Sequence, residues 1–186
     1  MDTISIGNQD WATKNLDVEK YCNGDIIPEV KDKNEWYNIR TGAWCYYDNN
    51  IENGVIYGKI YNWYAVIDPR GLAPNGFHIP SSIEWDELIN FLGGNEVAGE
   101  KLKNRNIYKA IENGNNESGF SGLLGGKRMG EGTFYGMGGY GHWWSASETE
   151  GKENYALDRY LFYKDNKIGF GDHHKFSGFY VRCIKN

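Results

Sequence analysis

Ser81-Ser82-Ile83-Glu84-Trp85-Asp86-Glu87-Leu88-Ile89-Asn90-Phe91-Leu92-Gly93-Gly94 carries the clearest local signal in the chain. Ser81 and Glu84 stand at the spacing at which a serine hydroxyl caps a backbone N–H in the first turn of a helix while the glutamate reaches back to the cap. Trp85, Leu88, Ile89 and Leu92 then repeat at helical spacing and form one apolar face. Gly93-Gly94 supplies the stop. A helix is expected over 81–92, with a short helical turn over 97–102 after it.

Upstream, Tyr57, Ile60, Tyr61 and Tyr64 recur at i, i+3, i+4 and i+7, and Ile67 extends the row. This spacing predicts another helix over 57–67, stopped by Asp68-Pro69-Arg70-Gly71. Residues 23–41 are polar and turn-rich, contain Pro28, and read as a loop. Ala43-Trp44-Cys45-Tyr46-Tyr47 reads as a short strand ended by Asp48-Asn49-Asn50. Ile4-Ser5-Ile6-Gly7-Asn8-Gln9-Asp10-Trp11 reads as two strand pieces joined at Gly7-Asn8.

Downstream of Asn113 the character changes to glycine, aromatic and small residues, as in Gly138-Gly139-Tyr140-Gly141-His142-Trp143-Trp144-Ser145. Strand-like runs follow over 155–163, 167–171 and 179–184, with turns at Asp165-Asn166 and Ser177-Gly178. With helices in the first half and antiparallel strands in the second, the expected class is α+β: two helices, a twisted antiparallel sheet and long Gly-rich ordered loops. The composition agrees. Seven Trp, fourteen Tyr and eight Phe accompany 25 Gly in 186 residues, which suits short strands and bends at glycines better than a helical bundle. No linker or repeat interrupts the chain, so one domain over 1–186 is expected.

A net charge of −5 with scattered Lys and Arg offers no basic footprint for nucleic acid. No apolar run is long enough for membrane insertion. No leader is read in Met1-Asp2-Thr3, which leads almost directly into ordered sequence. The three cysteines are not a disulfide framework. Either Cys45 and Cys183 are bridged, since both lie in strand-like aromatic runs, or Cys22, Cys45 and Cys183 are all buried thiols.

Five stretches, in order, resemble one family. They are Ile6-Gly7-Asn8-Gln9-Asp10-Trp11 with Lys14-Asn15-Leu16; Tyr57-Gly58-Lys59-Ile60-Tyr61-Asn62-Trp63-Tyr64-Ala65-Val66; Pro74-Asn75-Gly76-Phe77-His78-Ile79-Pro80-Ser81 with Glu84-Trp85; Trp143-Trp144-Ser145-Ala146-Ser147; and Val181-Arg182-Cys183-Ile184-Lys185. The family is the Fibrobacter succinogenes major paralogous domain, and the resemblance covers about residues 4–186. It implies a fold distantly related to C-type lectins and to formylglycine-generating enzymes. It also implies a secreted or surface-attached bacterial protein, and the resemblance to the lectin fold implies a ligand surface in the C-terminal part.

Catalytic patterns are sparse. The formylglycine-generating relatives use paired cysteines with copper, and the chain has no close cysteine pair; the related sulfoxide synthases use a histidine-rich iron site, which has no counterpart here. Neighbouring His173 and His174 on a strand point to opposite faces, and no Cys or His spacing suits a transition metal, so no cofactor is expected. Calcium is the one ion left open, through the oxygen-rich Asp48-Asn49-Asn50 and Asn113-Gly114-Asn115-Asn116-Glu117, which also read as solvated turns. Ser145 and Ser147 near His142 carry no triad logic by spacing alone. Gly122-Leu123-Leu124-Gly125-Gly126-Lys127 lacks the Walker spacing, and Arg128 follows where Ser or Thr belongs. Gly136, Gly138, Gly139 and Gly141 read as positive-φ turn positions.

Rings, which stack on sugar faces and anchor protein contacts, then carry the functional expectation. The candidate ligand residues are Tyr135, Tyr140, Trp143, Tyr155, Tyr160, Asp172, His173, His174 and Phe176, whereas Trp63, Trp85 and Trp144 are expected in the core. Arg159 and Arg182 are expected as buried-network or edge residues with carboxylate or carbonyl partners rather than as ligand clamps. The expected function is a non-catalytic glycan- or protein-binding module of a bacterial surface, secreted or phage-borne protein. The alternatives are an assembly domain of a surface complex and an enzyme on a formylglycine-generating-enzyme-like fold.

Overall fold

The structure is a computed structural model that describes residues 1–104 and 114–186. It opens with an antiparallel hairpin, β1 (Thr3–Ile6) and β2 (Gln9–Ala12). Helix α1 (Lys33–Asn38) follows, inside the stretch expected to be loop. Its cap was there to be seen: the Asp32 side chain accepts the backbone N–H groups of Asn34 and Glu35, and buried Trp36 anchors the turn.

Next come β3 (Trp44–Cys45), a single 3-10 turn at Tyr47–Asn49, α2 (Ile51–Tyr57), β4 (Ile60–Asn62) and α3 (Trp63–Val66). These replace the one helix expected over 57–67. Gly58 adopts φ 78°, a conformation that ends a helix cheaply only at glycine. Tyr61 then lies between Trp44 and Phe179 in a sheet. The helical spacing of Tyr57, Ile60, Tyr61 and Tyr64 is therefore spread over three elements, each buried for its own reason.

After β5 (Phe77–His78), α4 (Ser82–Phe91) carries the expected capping box between Ser81 and Glu84. Helix α5 (Asn95–Leu102) is longer than the expected turn. The strand-rich part comprises β6 (Gly125–Arg128), β7 (Phe134–Met137), β8 (Tyr140–Glu148), β9 (Tyr155–Phe162), β10 (Ile168–His174), β11 (Gly178–Phe179) and β12 (Ile184–Lys185). The run expected over 179–184 is thus two short strands in different sheets. The α+β class holds, with five short helices among the described residues instead of two.

One sheet has the order β1-β2-β12-β5 and ties the two ends of the chain together. The other runs β10-β9-β8-β6-β11-β4-β3, with β7 paired to β6. Strands β6 and β8 pair in parallel through Gly126 and Gly141; among the described residues the other pairs of these strands are antiparallel. Gly136 and Gly138 have positive φ as expected, whereas Gly139 and Gly141 do not.

Two apolar clusters form the core. One gathers Trp11, Trp85, Leu88, Phe120, Trp143, Leu161 and Ile168. The other gathers Trp44, Tyr61, Trp63, Trp144, Phe179 and Val181. Neighbouring Trp143 and Trp144 fall in different clusters because successive strand residues point to opposite faces. Cys45 and Cys183 are likewise buried in different clusters. All three cysteines are free, and Cys22 is exposed; this corrects both the bridge and the three buried thiols.

Arg159 is buried and pairs with Asp86 of α4 at 2.8 Å. Arg182 donates to the carbonyls of Ala12 and Phe120 and to Asn15 Oδ1. Among the described residues no helix is long and apolar enough to cross a membrane.

Candidate functional site

The register of β8, β9 and β10 builds an open groove. His142 lies opposite Tyr160, and Tyr140 opposite Phe162. Across β9 and β10, Tyr160 faces Gly169 and Asp158 faces Gly171. Both glycines are required by close approach: a Cβ at Gly169 would meet the Tyr160 ring, and one at Gly171 would meet Asp158 Oδ1. Two missing side chains on β10 thus open the face of the sheet above β9. The resulting groove has a volume of about 510 Å³ and is lined by Lys127, Tyr135, Tyr140, His142, Tyr160, Phe162, Asp165, Phe170, Gly171, Asp172 and His173.

Its walls are rings. Tyr140 stacks on Phe162 at 4.7 Å and lies 6.0 Å from Tyr135. His142 sits between Tyr140 and Tyr160, at centroid distances of 5.9 and 5.3 Å. Tyr135 is 55 % exposed and Phe170 47 %, so the rim is open to solvent. Asp172 is held at the rim by an ion pair with Lys152.

The floor is a row of polar side chains. Fully buried Asp158 meets His142 Nδ1 at 2.7 Å and His173 Nδ1 at 3.0 Å. On the far side of His173, Nε2 is 3.3 Å from Lys127 Nζ. Burial by itself would raise the Asp158 carboxyl, but hydrogen bonds from His142 and His173 outweigh it and hold the group well below the usual carboxylate range. Burial pushes the His142 ring down, against the pull of Asp158 toward the charged form. Burial also pushes the Lys127 ammonium down, partly offset by Asp158 and Glu131.

Tyr135, Tyr140, Tyr160, Asp172 and His173 therefore meet in one groove, as a ligand face requires. Trp143 does not: it is 1 % exposed and points to the covered side, where it donates to Asn15 Oδ1. Tyr155, His174 and Phe176 form a second, separate stack. Tyr155 Oη lies 2.9 Å from His174 Nε2, the His174 and Phe176 rings stack at 4.8 Å, and Arg40 covers Phe176 at 4.6 Å. His173 and His174 point to different surroundings, as strand alternation requires.

Lys127, His142, Asp158, Phe162, Asp165 and Phe170 were missed as site residues. A period-2 signal could have found His142, two positions after Tyr140, and Asp158 and Phe162, two positions either side of Tyr160. Trp63, Trp85 and Trp144 are in the core, as expected.

In the oxygen-rich turns Asn50, Asn115 and Asn116 serve the backbone, whereas Asn49 Oδ1 is buried without a partner. Asn50 Oδ1 caps α2 through the N–H of Glu52, and Asn115 and Asn116 accept from the N–H groups of Glu117 and Ser121. Asn113 lies outside the described residues. Among the described residues no group of three or more His, Cys, Asp or Glu side chains is arranged to hold a metal ion.

The chain's relationships agree with its motif order. No curated protein and no solved structure matches it. The family model of the Fibrobacter succinogenes major domain matches residues 4–185. The chain belongs to the Fibrobacter succinogenes major domain family.

Proposed function

We propose that the chain is a non-catalytic ligand-binding module and that the groove over β8, β9 and β10 takes a glycan or a protein segment. One observation carries this reading: exposed rings and a buried, already hydrogen-bonded polar row coincide in one concave site. Rings give contact area at small entropic cost. Polar groups already ordered before binding lower the cost of association, and strands hold them more rigidly than loops would. Within this reading the fold is a divergent C-type-lectin-like one, and the protein works at a bacterial surface, in secretion or on a phage particle.

An array of glycans and peptides, probed with the wild-type protein and with Tyr140→Ala, tests the reading. Binding that is lost in the variant while the melting temperature holds is the expected result. Binding unaffected by the substitution would move the ligand site elsewhere.

The enzyme alternative draws support from one feature, a buried histidine oriented by a carboxylate, which is a common arrangement for a general base. It lacks a nucleophile among the described side chains beside that histidine. Ser145 is fully buried, and its hydroxyl accepts the N–H of Ser147. Strand alternation also turns Ser145 to the opposite face from His142.

A further inference from the structure

We infer that the groove selects a neutral sugar residue, one of whose hydroxyl groups donates a hydrogen bond to His142 Nε2. This rests on the binding reading above and follows from counting protons and charges along the floor.

Asp158, as a carboxylate, only accepts. Both histidine Nδ1 atoms that meet it must therefore carry hydrogen. The Lys127 ammonium only donates, so His173 Nε2, which it meets, carries a lone pair. His173 thereby has both ring nitrogens in use. His142 has one nitrogen left. Its Nε2 has no hydrogen-bond partner among the described residues, and it is not one of the buried side-chain atoms left without a partner. It therefore reaches the groove that His142 lines. Burial disfavours a second proton on this ring, so what it presents is an acceptor. A ligand must bring an O–H or N–H to it.

The charges balance. Lys127 answers Asp158 through His173. Asp172 is answered by Lys152. Asp165 accepts the backbone N–H of Lys167 through its side chain, and its carbonyl takes the Lys103 ammonium. Among the described residues each charge lining the groove thus has an opposite charge near it. A carboxylate placed at His142 would set acceptor against acceptor.

The flanking rings favour a sugar over a peptide. A pyranose has an apolar C–H face to lay on a ring and an equatorial hydroxyl edge to reach a polar atom beside it. The acceptor lies between Tyr140 and Tyr160 at spacings on that scale. A peptide strand would instead look for free backbone groups at the outer edge of β10, which is the edge strand of the sheet and not the groove face.

The test uses neutral hexose disaccharides (lactose, maltose and cellobiose), glucuronic-acid disaccharides and a peptide library, titrated calorimetrically against the whole chain at neutral pH. At least one neutral disaccharide should bind, the uronates should bind at least tenfold more weakly, and His142→Phe should weaken the neutral sugar at least tenfold. Should His142→Phe fail to fold, mono-O-methyl derivatives of the bound sugar keep the test on the wild-type protein, and blocking one particular hydroxyl should reproduce the loss. Long-range proton–nitrogen spectra of the histidines supply a separate readout, with His142 expected as the Nδ1–H tautomer. Uronates binding as tightly as neutral sugars, a protonated Nε2 in the free protein, or peptides binding in the groove while sugars do not would each overturn the inference and leave a binding groove standing. Binding of neither sugars nor peptides would overturn the inference and the groove reading together.

Discussion

The two faces of β8 and β9 are built from similar residues and do opposite things. On the covered face Trp143 and Leu161, with Ile168 of the adjoining β10, are buried beneath α4 and α5, and Arg159 reaches out to Asp86. Trp143 meets Phe120 edge-on at 5.8 Å. On the open face Tyr140, Tyr160 and Phe162 stand half-buried over Asp158 and the two histidines. Both faces hold rings and both hold a buried charge. They differ in what lies above them: helices close the first, and two glycines of β10 leave the second open. Whether a ring is core or contact surface is therefore set by the neighbouring element and not by the strand that carries it.

The largest test of this contrast is Trp143→Ala. Removing a fully buried indole should cost about 3–5 kcal/mol, the range for large-to-small core substitutions, seen as a lower urea midpoint. A small loss of stability with loss of ligand would instead put Trp143 in the groove and erase the contrast.

Asp158→Asn comes next. It leaves a histidine Nδ1–H without its charged acceptor and should cost about 3 kcal/mol, the upper range for a hydrogen bond to a charged group. A near-neutral result would mean that the polar row does not hold the open face together.

The pH dependence should be smaller. The folded-state value of His142 is depressed below the ordinary 6.5, so below that pH the unfolded chain binds a proton that the folded chain does not. Stability should therefore be full above about pH 6.5 and fall on acidification, by at most about 1.4 kcal/mol per pH unit for one proton. Denaturation at about pH 7.5, about pH 6.5 and about pH 5.5 measures the slope. His142→Phe should flatten it, and an unchanged slope would place the responsible proton elsewhere.

Tyr135→Ala should affect stability least. With the ring 55 % exposed, the stability change should stay within about 0.5 kcal/mol. A destabilisation above about 1 kcal/mol would show that the open face is structurally part of the core.

Local signals were legible where local physics decides the outcome. The hairpin at Gly7-Asn8 and the Ser81–Glu84 capping box need only nearby residues, and both form as read. The helix expected over 57–67 failed because a spacing count ignores Gly58, whose left-handed backbone breaks the row, and because Tyr61 is claimed by strands from either end of the chain. Helix α1 was missed because its six residues bury one ring, Trp36, too few for a periodic stripe. At the site, aromatic candidates on β7, β8 and β9 converge with His173 and Asp172, whereas Tyr155, His174 and Phe176 assemble elsewhere. The polar row was invisible because none of its members is unusual in its own stretch.

The sequence by itself determined the family, through motifs in order, and the α+β class, through a capped amphipathic helix followed by glycine- and ring-rich strands. It also identified a pool of rings from which a ligand face could be drawn. Only the tertiary structure decided which rings stay open and that Lys127, His142, Asp158 and His173 form one hydrogen-bonded row. These four come from four different strands and meet through cross-strand register. Pairing between distant segments depends on how the whole sheet closes, and no local pattern of side chains encodes it.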